Sequence, residues 1–208
     1  METESLTLQD GALISSSTFG QGNAGNLIVS ARDIEMIGGR MFAATAATGK
    51  GGNLKVEAES LTLRDGGQIN TTTIGQGNAG DLTVSAKNIE LFGGQNITDL
   101  LAEGLKITEV LGPEQWNYTG LFAGTAATGN GGDLTVEVAE SLTMGGGAQI
   151  VTGTIGQGDA GDLKIYARSL TLQDKADISA AALPEAIGAA GDVIINLSLI
   201  HISEPTRP

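Results

Sequence analysis

The hydrophobic pattern of this chain has two periods at once. Within short runs the period is two residues: Leu6 and Leu8 fall on one side of SLTLQDG with Thr7 and Gln9 on the other, and Leu27, Val29 and Ala31 share one side of NLIVSA. Such alternation predicts β-strands. Between runs the period is about 28 residues. The first apolar residue of a recurring stretch stands at Leu27, Leu54, Leu82, Leu134, Leu163 and Val193, in steps of 27, 28, 52, 29 and 30. A second marker, Leu6, Ile34, Leu61, Ile89, Leu142 and Leu170, steps by 28, 27, 28, 53 and 28. Both place one excess of about 25 residues between Ile89 and Leu134, a single insertion in a repeat array.

Each unit reads as three short strands and three bends. SLTLQDG ends at an Asp10-Gly11 corner, Ala12 to Thr18 forms a second strand with Ile14 inward, GQGNAG turns the chain, and NLIVSA is the third strand. A helix fails because every unit carries several glycines, each costing a helix about 1 kcal/mol relative to Ala, and β-branched runs such as Thr71-Thr72-Thr73. Three strands per turn at a constant repeat predict an all-β, single-stranded parallel β-helix of six to seven coils between Ser5 and Asn196, stacked at about 4.8 Å. Equivalent residues then form columns. Leu6, Ile34, Leu61, Ile89, Leu142 and Leu170 make one inner column, and Leu8, Met36, Leu63, Leu91, Met144 and Leu172 its neighbour. Phe42-Ala43 matches Phe122-Ala123 two coils on, which marks an ancestral unit of two coils, and Glu137-Val138-Ala139 exceeds its counterpart Glu57-Ala58 by one residue, which predicts a bulge.

The solenoid occupies residues 1–196, interrupted by an insertion at about 95–118 that carries Leu100, Leu101, Leu105, Pro113, Trp116 and Tyr118. Residues 197–208 ignore the repeat: LSLIHISEPTR resembles a translated adapter of DNA library preparation, and it is set aside as a non-native tail together with His201, the sole histidine. The chain begins inside a repeat, so Met1 is not expected to be the natural start, and the natural chain is expected to run beyond about Asn196.

Composition sharpens this picture. Gly is 32 of 208 residues and aromatics are 3%, as narrow stacked coils require. A formal net charge of −13 argues against nucleic acid as a partner, which needs clustered Lys and Arg. There is no cysteine, no apolar run of 18 residues to insert in a membrane, and the acidic Met1-Glu2-Thr3-Glu4 is no signal peptide.

Candidate chemistry is sparse. A column at the start of the third strand runs Asn26, Asn53, Asp81, Asp133, Asp162 and Asp192. Stacked aspartates repel by about 1 kcal/mol in water, which a bound Ca²⁺ at Asp81, Asp133, Asp162 and Asp192 would relieve. The competing and preferred reading makes them solvated turn residues accepting nearby N–H bonds. Glu35, Glu57, Glu90 and Glu137 stand beside lysines such as Lys55 and Lys87 as a solvated face; no Ser or Cys triad can form without a histidine, and neither catalysis nor a cofactor is expected. Thr71-Thr72-Thr73 and Thr152-Gly153-Thr154 look like fragments of a flat ice-binding array, but β-propensity explains them better. Trp116 and Tyr118 are the candidate ligand contacts, able to stack on a sugar or to pin their own loop.

The string SLTLxDGxxIxxxTxGxGNAGDLTVxA, as it stands from Ser60 to Ala86, resembles the repeats of filamentous-haemagglutinin-like exoproteins of two-partner secretion systems, especially those of filamentous cyanobacteria. The likeness covers nearly all of Ser5 to Asn196. It implies a right-handed β-helical shaft, export through a dedicated outer-membrane transporter by way of an amino-terminal domain not contained in this chain, and a structural or adhesive role at the cell surface with a surface glycan or protein as partner. The alternative from a different class is a β-helical polysaccharide-active enzyme.

Overall fold

The computed structural model describes residues 3–94, 118–126, 128–183 and 186–198, and every regular element in them is a β-strand. Fourteen strands form two parallel sheets. The first sheet holds β1 (Thr3–Gln9), β3 (Leu27–Ile37), β5 (Leu54–Glu57) with β6 (Ser60–Arg64), β8 (Leu82–Phe92), β10 (Leu134–Gly145), β12 (Leu163–Leu172) and β14 (Val193–Leu197). The second holds β2 (Leu13–Ser15), β4 (Arg40–Phe42), β7 (Gln68–Asn70), β9 (Gly120–Thr125), β11 (Gln149–Thr154) and β13 (Asp177–Ala182). Successive coils add one strand to each sheet, so the chain is a β-solenoid of about six turns.

Register follows the sequence period residue for residue. Leu6 pairs with Ile34, Ile34 with Leu61, Leu61 with Ile89, Ile89 with Leu142 and Leu142 with Leu170. Leu8 starts the parallel column through Met36, Leu63, Leu91 and Met144 to Leu172. Opposite them, Ile14, Met41, Ile69, Leu121, Ile150 and Ile178 stack in the second sheet. Met36, Met41, Leu63, Ile69, Leu82, Leu91 and Leu121 are wholly buried, so the core is a stack of aliphatic layers between two sheets. Each layer is covered only by the layers beside it, which is why a single coil has no stable form of its own.

Two of the three strands expected per coil run together. In β8 the inward residues are Leu82, Val84 and Ala86, then Ile89 and Leu91, so the alternation slips by one residue at Lys87-Asn88 while the ladder continues. The slip turns the wall from one flat face to the next, and the third expected bend is thus a corner inside a continuous strand. The extra residue in β10 is a bulge: the register shifts between Val138 and Ser141 against both β8 and β12.

The corner between sheets is a tight turn with two left-handed residues. Asp10 and Gly11 (φ 53° and 79°), Asp65 and Gly66 (47° and 89°), and Asp174 and Lys175 (49° and 63°) occupy it in three coils. It is closed by an N–H from Ala12 to the Gln9 carbonyl at 2.9 Å, and from Gly67 to that of Arg64 at 2.9 Å. Positive φ at both central positions is what Asp-Gly supplies at least steric cost.

Candidate functional surfaces

The column of Asn26, Asn53, Asp81, Asp133, Asp162 and Asp192 forms a side-chain ladder along the turn. Each Oδ1 accepts the backbone N–H of the equivalent residue on the next coil: Asn53 donates to Asn26 at 2.9 Å, Asp81 to Asn53 at 3.0 Å, Asp133 to Asp81 at 3.1 Å, Asp162 to Asp133 at 2.9 Å and Asp192 to Asp162 at 3.1 Å. A second ladder runs beside it, with Lys50 N–H on Asn23, Asn130 on Asn78, Asp159 on Asn130 and Ala189 on Asp159. The hydrogen bond from Asp192, with help from Lys164, holds the Asp162 carboxyl below its ordinary value. These bonds offset the repulsion of stacked carboxylates. Among the described residues no three acids or imidazoles gather as a metal site, and each of Asp81, Asp133 and Asp162 already commits one oxygen to an N–H.

The threonines that looked like a surface array point inward. Thr45, Thr71, Thr73, Thr152 and Thr154 are wholly buried, and only Thr72 faces out of its run. Thr18, Thr45 and Thr73 each donate a hydroxyl to the carbonyl five residues on, at Asn23 (3.0 Å), Lys50 (2.8 Å) and Asn78 (3.4 Å), and Thr152 donates to Gly161 at 2.6 Å. Inside the stack they fasten the glycine-rich turn to the wall. Their position was readable, since Ile69, Thr71 and Thr73 continue one period-two series from an inward isoleucine.

Glu57, Glu90 and Glu137 lie along outer strand faces without converging on one another. Lys55 bridges Glu57 at 2.8 Å, Arg64 bridges Glu90 at 3.1 Å, and Ser85 donates to Glu137 at 3.0 Å. Of the insertion's aromatic pair, Trp116 lies outside the described residues. Tyr118 is 5% exposed, bridges to Gly94, and its phenol is pushed up to about 12 by burial. Its ring therefore presents no free face for stacking.

A concavity of about 380 Å³ lies elsewhere, on the outer face of the second sheet. Its floor is a column of small residues, Ser17, Ala44, Thr72, Gly124 and Gly153, one per coil. One rim carries Phe42, Phe122 and Val151; the other carries Phe19, Ile74 and Ile155. Phe19 is 82% exposed and Ile74 54%. The result is an apolar trough crossing the strands along the solenoid axis. Sequence reasoning placed no site here, although apolar residues at outward positions, where a solvated wall would be polar, are the signal.

No family model, curated protein or solved structure matches the chain.

Proposed function

We propose that this chain is a length of shaft from a large exoprotein of structural and adhesive type, carried to the outer face of the outer membrane by a two-partner transporter. One observation supports the reading above the others: parallel pairing links each coil to the next from Thr3 to Leu197, carried past the insertion and past the one-residue bulge of β10, so that the wall can be lengthened without redesign. A scaffold of this kind holds a contact surface at a fixed distance and orientation, which globular chemistry does not require. The repeat wording from Ser60 to Ala86 supplies the secretion part of the proposal. Fab fragments raised against the purified chain should label intact, unpermeabilised cells that carry the gene, or their medium, and should reduce attachment of those cells to a surface. Labelling confined to lysed cells would reject export, and full attachment under saturating Fab would reject the adhesive role.

A further inference from the structure

The outer corner of the first sheet carries an arrangement that the shaft does not need. One outward column there runs Ser30, Glu57, Ser85, Glu137 and Tyr166, a residue from each of five consecutive coils in register. Serine and glutamate alternate, and each serine donates to the glutamate of the next coil: Ser30 Oγ to Glu57 Oε2 at 3.0 Å, and Ser85 Oγ to Glu137 Oε2 at 3.0 Å. Both carboxylates are thereby held in one orientation from below. Lys55 occupies the other oxygen of Glu57, whereas among the described residues none donates to the other oxygen of Glu137. Tyr166 stands directly beyond Glu137 with 42% of its surface exposed; with Phe19 it is one of two exposed aromatic residues among those described.

A shallow concavity of about 500 Å³ opens over this column, lined by Glu57, Ser85, Lys87, Glu137, Ala139 and Tyr166. The bulge of β10 lies at its centre: between Val138 and Ser141 two residues, Ala139 and Glu140, oppose the single Lys87 of β8. Bulges of this kind re-aim side chains and are enriched beside binding sites.

We infer that this corner is a binding site for a neutral polysaccharide chain lying along the solenoid axis, with the Tyr166 ring as its stacking platform and the Glu137 carboxylate as its hydroxyl acceptor. The inference rests on the adhesive reading above and gives it a ligand class and a place. Glu57, Ser85, Lys87 and Glu137 put hydrogen-bonding groups among the small apolar residues of the lining, a mixture that suits a ligand with both hydroxyls and an apolar ring face. Acidic polysaccharides are disfavoured because Glu57, Glu59, Glu137 and Glu140 outnumber Lys55, Lys87 and Arg168 around the concavity. A shared metal ion is disfavoured because Glu57 and Glu137 are two coils apart, about 10 Å at ordinary strand spacing, against cation–oxygen distances of about 2.3–2.6 Å. Hydrolysis is disfavoured because a general acid needs a raised pKa, and Lys55 and Ser30 hold Glu57 low. Coils rising by about 4.8 Å present one set of polar groups per step, close to the length of a pyranose ring, so successive sugars meet successive coils.

The experiment titrates the full chain with cellohexaose by calorimetry, beside a hexamer of galacturonic acid, and repeats it with Tyr166→Ala, Tyr166→Phe, Glu137→Gln and, in the opposite wall, Ile74→Ser. Cellohexaose should bind and the acidic hexamer should not. Tyr166→Ala and Glu137→Gln should each weaken binding at least ten-fold at unchanged melting temperature, while Tyr166→Phe and Ile74→Ser should keep it. No binding by the unaltered chain, equal binding by both corner variants, or loss on Ile74→Ser overturns the site. If Fab still blocks cell attachment when cellohexaose does not bind, the adhesive reading stands and the corner is not its site.

Discussion

Gly77 shows why the words GQGNAG recur. It lies at a turn with φ 141°, stacked between Gly49 of the coil before and Gly129 of the coil after, and a Cβ on it would fall inside contact distance of the Gly49 carbonyl oxygen. Gly80, three residues on, meets the Gly52 carbonyl in the same way. From Gly49 and Gly52 onward both glycines of each turn are thus set by the coil beneath, which is why the spacing is so strict. Gly77→Ala should lower the melting temperature by an amount corresponding to about 2–4 kcal/mol, since both strain and backbone displacement are involved. Thermal unfolding of the variant beside Ile74→Ser checks this; equal loss from the two would show that the turn yields. The glycines were legible because backbone contact leaves one residue type. The inward side of the buried threonines was legible as well, from the period-two series that starts at Ile69, but the carbonyls they bond were not, because those lie five to nine residues on across a turn.

At the scale of the strand, inward and outward positions should differ sharply in what they tolerate. Leu61 is 1% exposed between Ile34 and Ile89, and Thr62 beside it faces out between Glu35 and Glu90. Leu61→Asp places an unpaired charge in a layer without water and should unfold the coils on either side, whereas Leu61→Ala should cost about 2–5 kcal/mol and Thr62→Ala less than about 0.5 kcal/mol. Chemical denaturation of the three variants separates them, and a mild effect of Leu61→Asp would place that side chain outside the stack. The inner columns were legible because burial between two sheets forces strict alternation. The joining of two strands into one was not. A corner that breaks the chain needs Gly or Pro, but the corner at Lys87-Asn88 is made by a phase slip alone, and two consecutive polar residues at a strand joint read as a loop. The binding column was illegible for a related reason, since Ser30, Glu57, Ser85, Glu137 and Tyr166 are 27 to 52 residues apart in sequence and adjacent only through register.

For the molecule as a whole, the single break in the repeat can be located to the residue. Leu82 and Leu134 are paired neighbours 52 residues apart, where other coils use 27 to 30. Gln68 pairs with Gly120 and Arg64 with Phe92, so the coil of β7 proceeds from Arg64 to Gln68 while the next proceeds from Phe92 to Gly120. Matching the two sets Gly94 against Gly66 and Thr119 against Gly67, which leaves residues 95–118 as the surplus of 24. Removing them restores a step of 28. The ends are already adjacent, since Gly94 bridges Tyr118, and the Thr119 carbonyl is already bound into the wall, accepting the Gln149 N–H at 2.9 Å from the following coil. Joining Gly94 to Thr119 should therefore keep every rung on both sides of the cut. The melting temperature should fall by a few degrees at most, from the loss of the buried Tyr118 ring, and binding of cellohexaose should be unchanged because the corner of the first sheet lies outside the excised stretch. A collapse of the β-sheet circular dichroism signal would mean that the insertion is a structural cover for the trough, and loss of cellohexaose binding with the fold intact would move the contact surface to the insertion itself.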